Sequence, residues 1–112
     1  MASYNRVEII GNVGKEAEMR FTLSGKPVTS FSVACNSKFG DTDSTEWFSV
    51  VAWNKLAETC NQYLTKGQQV FVEGRLQTRS WETDGVKHYK TEVIANRVIF
   101  LGSRKQEDEG EF

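Results

Sequence analysis

The chain has 112 residues, 38% of them hydrophobic and 26% charged, enough for one domain that builds its own core without disulfides or metals to staple it. No stretch approaches the roughly 18 consecutive apolar residues of a membrane span, and Met1 to Arg6 lead into a strand pattern rather than a signal peptide, so the cytoplasm is the expected compartment. The formal charge of −1 hides an asymmetry: residues 107–112 hold four acids and no base, leaving 14 Lys and Arg against 11 Asp and Glu, or +3, on residues 1–106, well short of the strongly basic composition of many duplex binders.

In chain order, residues 5–11 read as a first strand, ended by a turn or bulge at Gly11-Asn12-Val13-Gly14. Residues 18–23 resume extended character, Ser24-Gly25-Lys26-Pro27 turns, and residues 28–35 alternate as a second strand rich in β-branched and aromatic residues. Residues 36–44 have no apolar period and read as a polar loop, with Lys38 and Phe39 near its start. Residues 46–53 form a third strand. A single helix is predicted next, with Asn54 as N-cap, Leu56, Ala57, Cys60, Tyr63 and Leu64 at helical spacing, and Lys66-Gly67 at its end, Gly67 as the C′ residue. A fourth strand over 69–81 and a fifth over 87–101 flank Asp84-Gly85, a strong short-range hairpin signal. Cys35 and Cys60, at a strand end and on the helix face, read as reduced, buried core residues.

The third strand carries Trp47 and Trp53 six residues apart. Six is even, so both indoles emerge from one face, with Ser49 and Val51, while Phe48, Val50 and Ala52 point the other way and suffice for a core. Tryptophan is more often core or interface than ligand platform, and on this strand alone the two readings stand level. The fourth strand tips the balance. It places Arg75, Gln77, Arg79 and Trp81 on one parity and Val70, Val72 and Leu76 on the other. Guanidinium groups beside an indole suit a chain of phosphates bearing exposed bases, and suit a dry core badly because unpaired charges are costly to bury. Three strands, a helix and two strands is the order of the OB-fold, an all-β, five-stranded Greek-key barrel with one helix between strands 3 and 4 and an exposed face that takes oligonucleotides or sugars.

The chain closely resembles the bacterial single-stranded DNA-binding proteins. The resemblance runs from about residue 5 to 101 through Asn5-Arg6-Val7-Glu8-Ile9-Ile10-Gly11-Asn12-Val13-Gly14, Glu18-Met19-Arg20-Phe21, Phe31-Ser32-Val33-Ala34, Thr45-Glu46-Trp47-Phe48, Lys55-Leu56-Ala57-Glu58, Tyr63-Leu64-Thr65-Lys66-Gly67, Val72-Glu73-Gly74-Arg75-Leu76 and Thr78-Arg79-Ser80-Trp81. The Thr-Glu-Trp and Gly-x-Leu-x-Thr-Arg-x-Trp blocks are its specific part. It implies a DNA-binding domain over residues 1–102 and a short acidic tail over 103–112. It implies base stacking at Phe39, Trp47, Trp53 and Trp81 and phosphate contacts at Arg6, Lys55, Lys66 and Arg79, to which the strand parity adds Arg75. Ser49 and Gln77 stand where such proteins usually carry basic residues, so fewer phosphate contacts and a flatter salt dependence are expected.

The same resemblance implies a homotetramer assembled from dimers through N-terminal strands, a place beside the bacterial nucleoid, and roles in DNA replication, recombination and repair. Glu107, Asp108, Glu109, Glu111 and Phe112 resemble the acidic hook by which such proteins engage replication and repair enzymes, although the Pro of that hook and most of its linker are missing. A solubilising end is the alternative, as is a tail that occupies the barrel's own groove. No enzymatic activity, cofactor or metal is expected: His88, the single histidine, reads as a surface residue, and Asp41, Asp43, Glu82 and Asp84 as solvated loop acids without His or Cys partners. The runner-up function is an OB-fold adaptor, similar to primosomal proteins, whose aromatic face serves a protein partner.

Overall fold

The computed structural model describes residues 2–102; the acidic segment from Glu107 to Phe112 lies outside the described residues. The elements run β1 (Val7–Val13), β2 (Glu18–Phe21), β3 (Pro27–Phe39), β4 (Thr42–Trp53), α1 (Asn54–Tyr63), β5 (Gln69–Thr83) and β6 (Val86–Leu101). They form one sheet in the order β1-β5-β6-β4-β3-β2, and a β1–β3 pairing at Asn12↔Ala34 and Val13↔Val33 closes five of the strands into a barrel. The parallel contact of β4 with β6, Val50↔Val93 and Val51↔Ile94, completes the wall. Short β2 pairs with the start of β3 as an extra edge. This is the OB-type barrel expected from the element order.

The interior is filled by alternate residues of each strand: Val50 and Ala52 from β4 and Val70 and Val72 from β5, as their parity predicts, joined by Ile9 and Val13 from β1, Phe31 and Val33 from β3, and Val93 and Ala95 from β6. Ala57 and Cys60 of the helix, with Leu64 just after it, join this core. The buried Thr29 hydroxyl donates to the Ala57 carbonyl at 2.6 Å, which ties the helix to β3 while satisfying a polar group that would otherwise be costly to bury. Leu76 departs from the expected pattern and is 42% exposed. Beyond Gly74 every residue of β5 is exposed, and this β5–β6 arm leaves Leu76 uncovered even though its ladder partner Val93 is buried.

Five local expectations are corrected. β1 continues through Gly11 to Val13 instead of turning there, because β1 crosses β3 so closely that a Cβ at Gly11 would collide with the Ala34 carbonyl and come within 2.8 Å of Val33 Cγ1. The polar loop over 36–44 is the end of a hairpin, with Phe39↔Thr42 as its last pair. It projects past the core, so its residues carry no burial period, and polar cross-strand pairs such as Thr45 donating to Asn36 Oδ1 at 2.7 Å brace it. Asn54 does not cap α1: Trp53 holds that position in extended conformation with no side-chain cap bond, and Asn54 lies at φ 59. The helix stops at Tyr63 with Leu64 as C-cap, and Gly67 belongs to the following turn, where its N–H donates to the Val13 carbonyl at 2.7 Å. Both cysteines are free, but only Cys60 is buried; Cys35 is partly exposed and lies 3.4 Å from the Ile10 carbonyl.

Candidate nucleic-acid interface

The hairpin turn at Asp84 (φ 52) and Gly85 (φ 79) has both central residues left-handed, the geometry that matches the twist of the strands it joins. Its two-residue length fixes the pairs running back from it: Trp81↔His88, Ser80↔Tyr89, Arg79↔Lys90 and Gln77↔Glu92. With β4 beside β6, these outward residues meet those of β4 on one face of the wall. Three adjoining depressions result, all sharing Val51 and Glu92. One is flanked by Trp53, Arg75, Gln77 and Arg79, the next by Arg20, Trp53, Arg79 and Lys90, and the third by Lys15, Ser30, Ser49 and Lys90. Together they make a continuous, solvent-open groove across the barrel.

All three indoles are solvent-accessible, but of them only Trp53 lines these depressions. Trp47 is 60% exposed, and Trp53 and Trp81 are 40% exposed each, so the core and interior readings of these rings do not hold for the single chain. Trp47 rests on Gly14. A Cβ there would overlap the indole at Cζ3 and lie 2.8 Å from Cη2, with the Ser32 hydroxyl at 2.9 Å; only the absence of a side chain leaves room for the ring. Trp81 is flanked on its own face by two groups. The Arg79 guanidinium carbon lies 4.7 Å from the indole centroid, and the His88 ring stacks at 5.4 Å with 21° between planes. Phe39 projects from the tip of the β3–β4 hairpin and is largely exposed.

Among the cations expected to follow phosphates, Arg75 and Arg79 border the groove. Arg79 Nε donates to Glu92 at 3.2 Å. Arg6 is engaged elsewhere, 2.8 Å from Glu8 and 3.0 Å from Glu73; its hydrogen bond to Glu8, helped by Glu73, holds the guanidinium still more firmly in its charged form. Lys55 and Lys66 are exposed and line none of the three depressions. Sequence reasoning missed Lys15, Arg20, Lys90, Glu92 and the seat at Gly14, and left His88 as an uncommitted surface residue. The hairpin register contained part of this: counting outward from Asp84-Gly85 pairs His88 with Trp81 and Lys90 with Arg79. The contributions of Lys15, Arg20 and Gly14 depend on chain crossings with no local signature. Ser49 and Gln77, the two positions at which fewer phosphate contacts are expected above, both line the groove.

A closed five-stranded barrel, capped by one helix and carrying Trp53 with Arg20, Arg75 and Arg79 along an open outer groove and two further exposed indoles outside it, defines an OB-fold protein. The chain belongs to the single-strand binding protein family, whose model matches residues 4–101. It is 45% identical over 107 residues to the single-stranded DNA-binding protein 1 of Chlorobaculum tepidum, covering 89% of this chain and 66% of that protein. It is 38% identical to the single-stranded DNA-binding protein 1 of Xylella fastidiosa, with 94% of this chain and 82% of the relative covered. Among solved structures, a Plasmodium falciparum SSB complex with ssDNA superposes with a TM-score of 0.83 at 33% identity, covering 90% of this chain and 97% of the other.

Proposed function

We propose that this protein binds single-stranded DNA without strong sequence preference and holds it for replication, recombination and repair, acting as a binding protein rather than a catalyst. The observation that carries this is the open groove in which Trp53, Arg75 and Arg79 share one depression and Arg79 leads on to Trp81. Bases stack on Trp47, Trp53, Trp81 and Phe39, and every base has a π-face, so stacking is indifferent to sequence. Phosphates follow Arg75 and Arg79, joined by Lys15, Arg20 and Lys90 and, at the periphery, by Lys55, Lys66 and Arg6. A groove open along its length suits a flexible single strand better than a rigid duplex.

Self-association fits the same surface chemistry. Exposed Ile10 and Ile99 flank Phe71 on the outer face of β1, β5 and β6, and among the described residues Val7 to Gly11 pair on one side only, with β5. A second copy pairing along that free edge extends the sheet and covers the apolar strip, and two such dimers make the homotetramer. Linked grooves then gain affinity through high effective concentration. In the tail, Glu107, Asp108, Glu109, Glu111 and Phe112 offer replication and repair proteins an acidic ligand that carries an aromatic ring. The two free thiols suit the reducing cytoplasm.

The experiment is a titration of intrinsic tryptophan fluorescence with oligothymidylate at several salt concentrations, beside duplex of equal length. Quenching on the single strand, weakening with salt, and feeble duplex binding are expected. Unquenched emission at saturating single strand, or preference for duplex, would refute the assignment.

A further inference from the structure

Glu92 is out of place in a groove for phosphates. It lines all three depressions that make up the groove, where Glu16 and Glu18 line only one, yet only 11% of its side chain is exposed. By charge alone it should repel the ligand. Its neighbours give it another task. Across the β5–β6 ladder it faces Gln77, and diagonally it meets Arg79, whose Nε donates to Oε1 at 3.2 Å. A guanidinium has five N–H donors in a rigid plane. Gripping it by Nε fixes that plane while leaving the four N–H groups of Nη1 and Nη2 uncommitted to Glu92. The same guanidinium lies over the Trp81 indole at 4.7 Å.

Resting on the single-strand-binding role proposed above, we infer that Glu92 is a positioning residue, an anion that strengthens DNA binding by holding Arg79 against Trp81 with its outer N–H groups turned to the phosphate path. Side-chain ordering is completed before the ligand arrives, so less of the interaction is spent on fixing a long, rotamer-rich arginine. The partly buried carboxylate retains its grip because Arg79 is its ion-pair partner among the described residues. A lysine at position 79 could satisfy the charge of Glu92 but has no second set of donors to present and no plane to lay on the indole.

The test is a double-substitution cycle read by oligothymidylate titration, with thermal unfolding recorded for each variant. Glu92→Ala removes a negative charge from the groove and is nevertheless expected to weaken binding by roughly threefold to tenfold. Glu92→Gln keeps an acceptor oxygen for Nε–H and should stay within about twofold of the parent. In the Arg79→Ala background the sign reverses: with nothing to position, Glu92→Ala removes only repulsion and tightens binding. Tighter binding by Glu92→Ala with Arg79 present, or the same sign of effect in both backgrounds, overturns the inference. So does an unchanged affinity in a less stable protein, which marks a purely structural ion pair. Should Glu92→Ala fail to fold, the comparison of Glu92→Gln with Arg79→Lys decides, a loss confined to Arg79→Lys being expected and equal affinities being contrary. A parent that binds no single strand defeats the underlying role instead, and that outcome is read separately.

Discussion

Replacing Gly14 by alanine isolates the seat beneath Trp47. The added methyl carbon would overlap the indole at Cζ3, lie 2.8 Å from Cη2 and 2.9 Å from the Ser32 hydroxyl, where carbon contacts are ordinarily about 3.5–4.0 Å. The ring must therefore lift by about 1 Å. It is free to do so, being 60% exposed, and Gly14 is absent from the positive-φ glycines, so alanine meets no backbone strain there. Folding stability should accordingly change by less than about 1 kcal/mol, since the alanine also reduces the freedom of the unfolded chain. DNA affinity should suffer more. A stacked base is worth roughly 1–3 kcal/mol by alanine substitution, and losing about half of that on a displaced ring weakens binding by about twofold to tenfold. The assay is oligothymidylate titration of Gly14→Ala, Trp47→Ala and the double variant, alongside thermal unfolding. In the Trp47→Ala background the alanine has nothing to displace and should cost no affinity. Parent-like binding by Gly14→Ala, or an additive loss in the double variant, would refute the idea that Gly14 acts through Trp47.

Three further outcomes are expected. Trp81→Ala should weaken oligothymidylate binding about tenfold or more and lower the fractional fluorescence quench, with the melting temperature nearly unchanged because the β5–β6 arm stands outside the core. Ile10→Asp places a charge on the outer strip beside Phe71 and should lower the mass measured by light scattering to that of a smaller assembly, with barrel secondary structure retained in circular dichroism. Burial pushes the Cys60 thiol up from 9.0 to about 11. A folded-state value above the unfolded one means that the proton is held more tightly by the native protein, so this stabilisation is complete below about pH 9 and is lost as pH rises towards 11. The loss totals roughly 2–3 kcal/mol across that window; chemical denaturation of Cys60→Ala should show a correspondingly flatter fall than the parent between pH 9 and 11.

What the chain determined by itself was local. The two-residue period put Val50, Ala52, Val70 and Val72 inside and Trp47, Trp53 and Trp81 outside, because successive side chains of a strand leave opposite faces whatever the strand pairs with. Asp84-Gly85 set the register of β5 on β6 in the same local way. The helix was legible from Ala57 and Cys60 but not at its ends, since the extended backbone at Trp53, continuous with β4, and the Gly67 bond to Val13 belong to the surrounding fold rather than to capping chemistry. The polar arms of the β3–β4 hairpin carried no burial pattern because they cover no core. Only the closed barrel decided which outward residues became neighbours: β4 beside β6 brought Trp53 to Arg75 and Arg79, and the segment after β1 brought Gly14 beneath Trp47. Such contacts join residues distant in the chain through backbone crossings, and a crossing leaves its trace in space rather than in the spacing of residues along one strand.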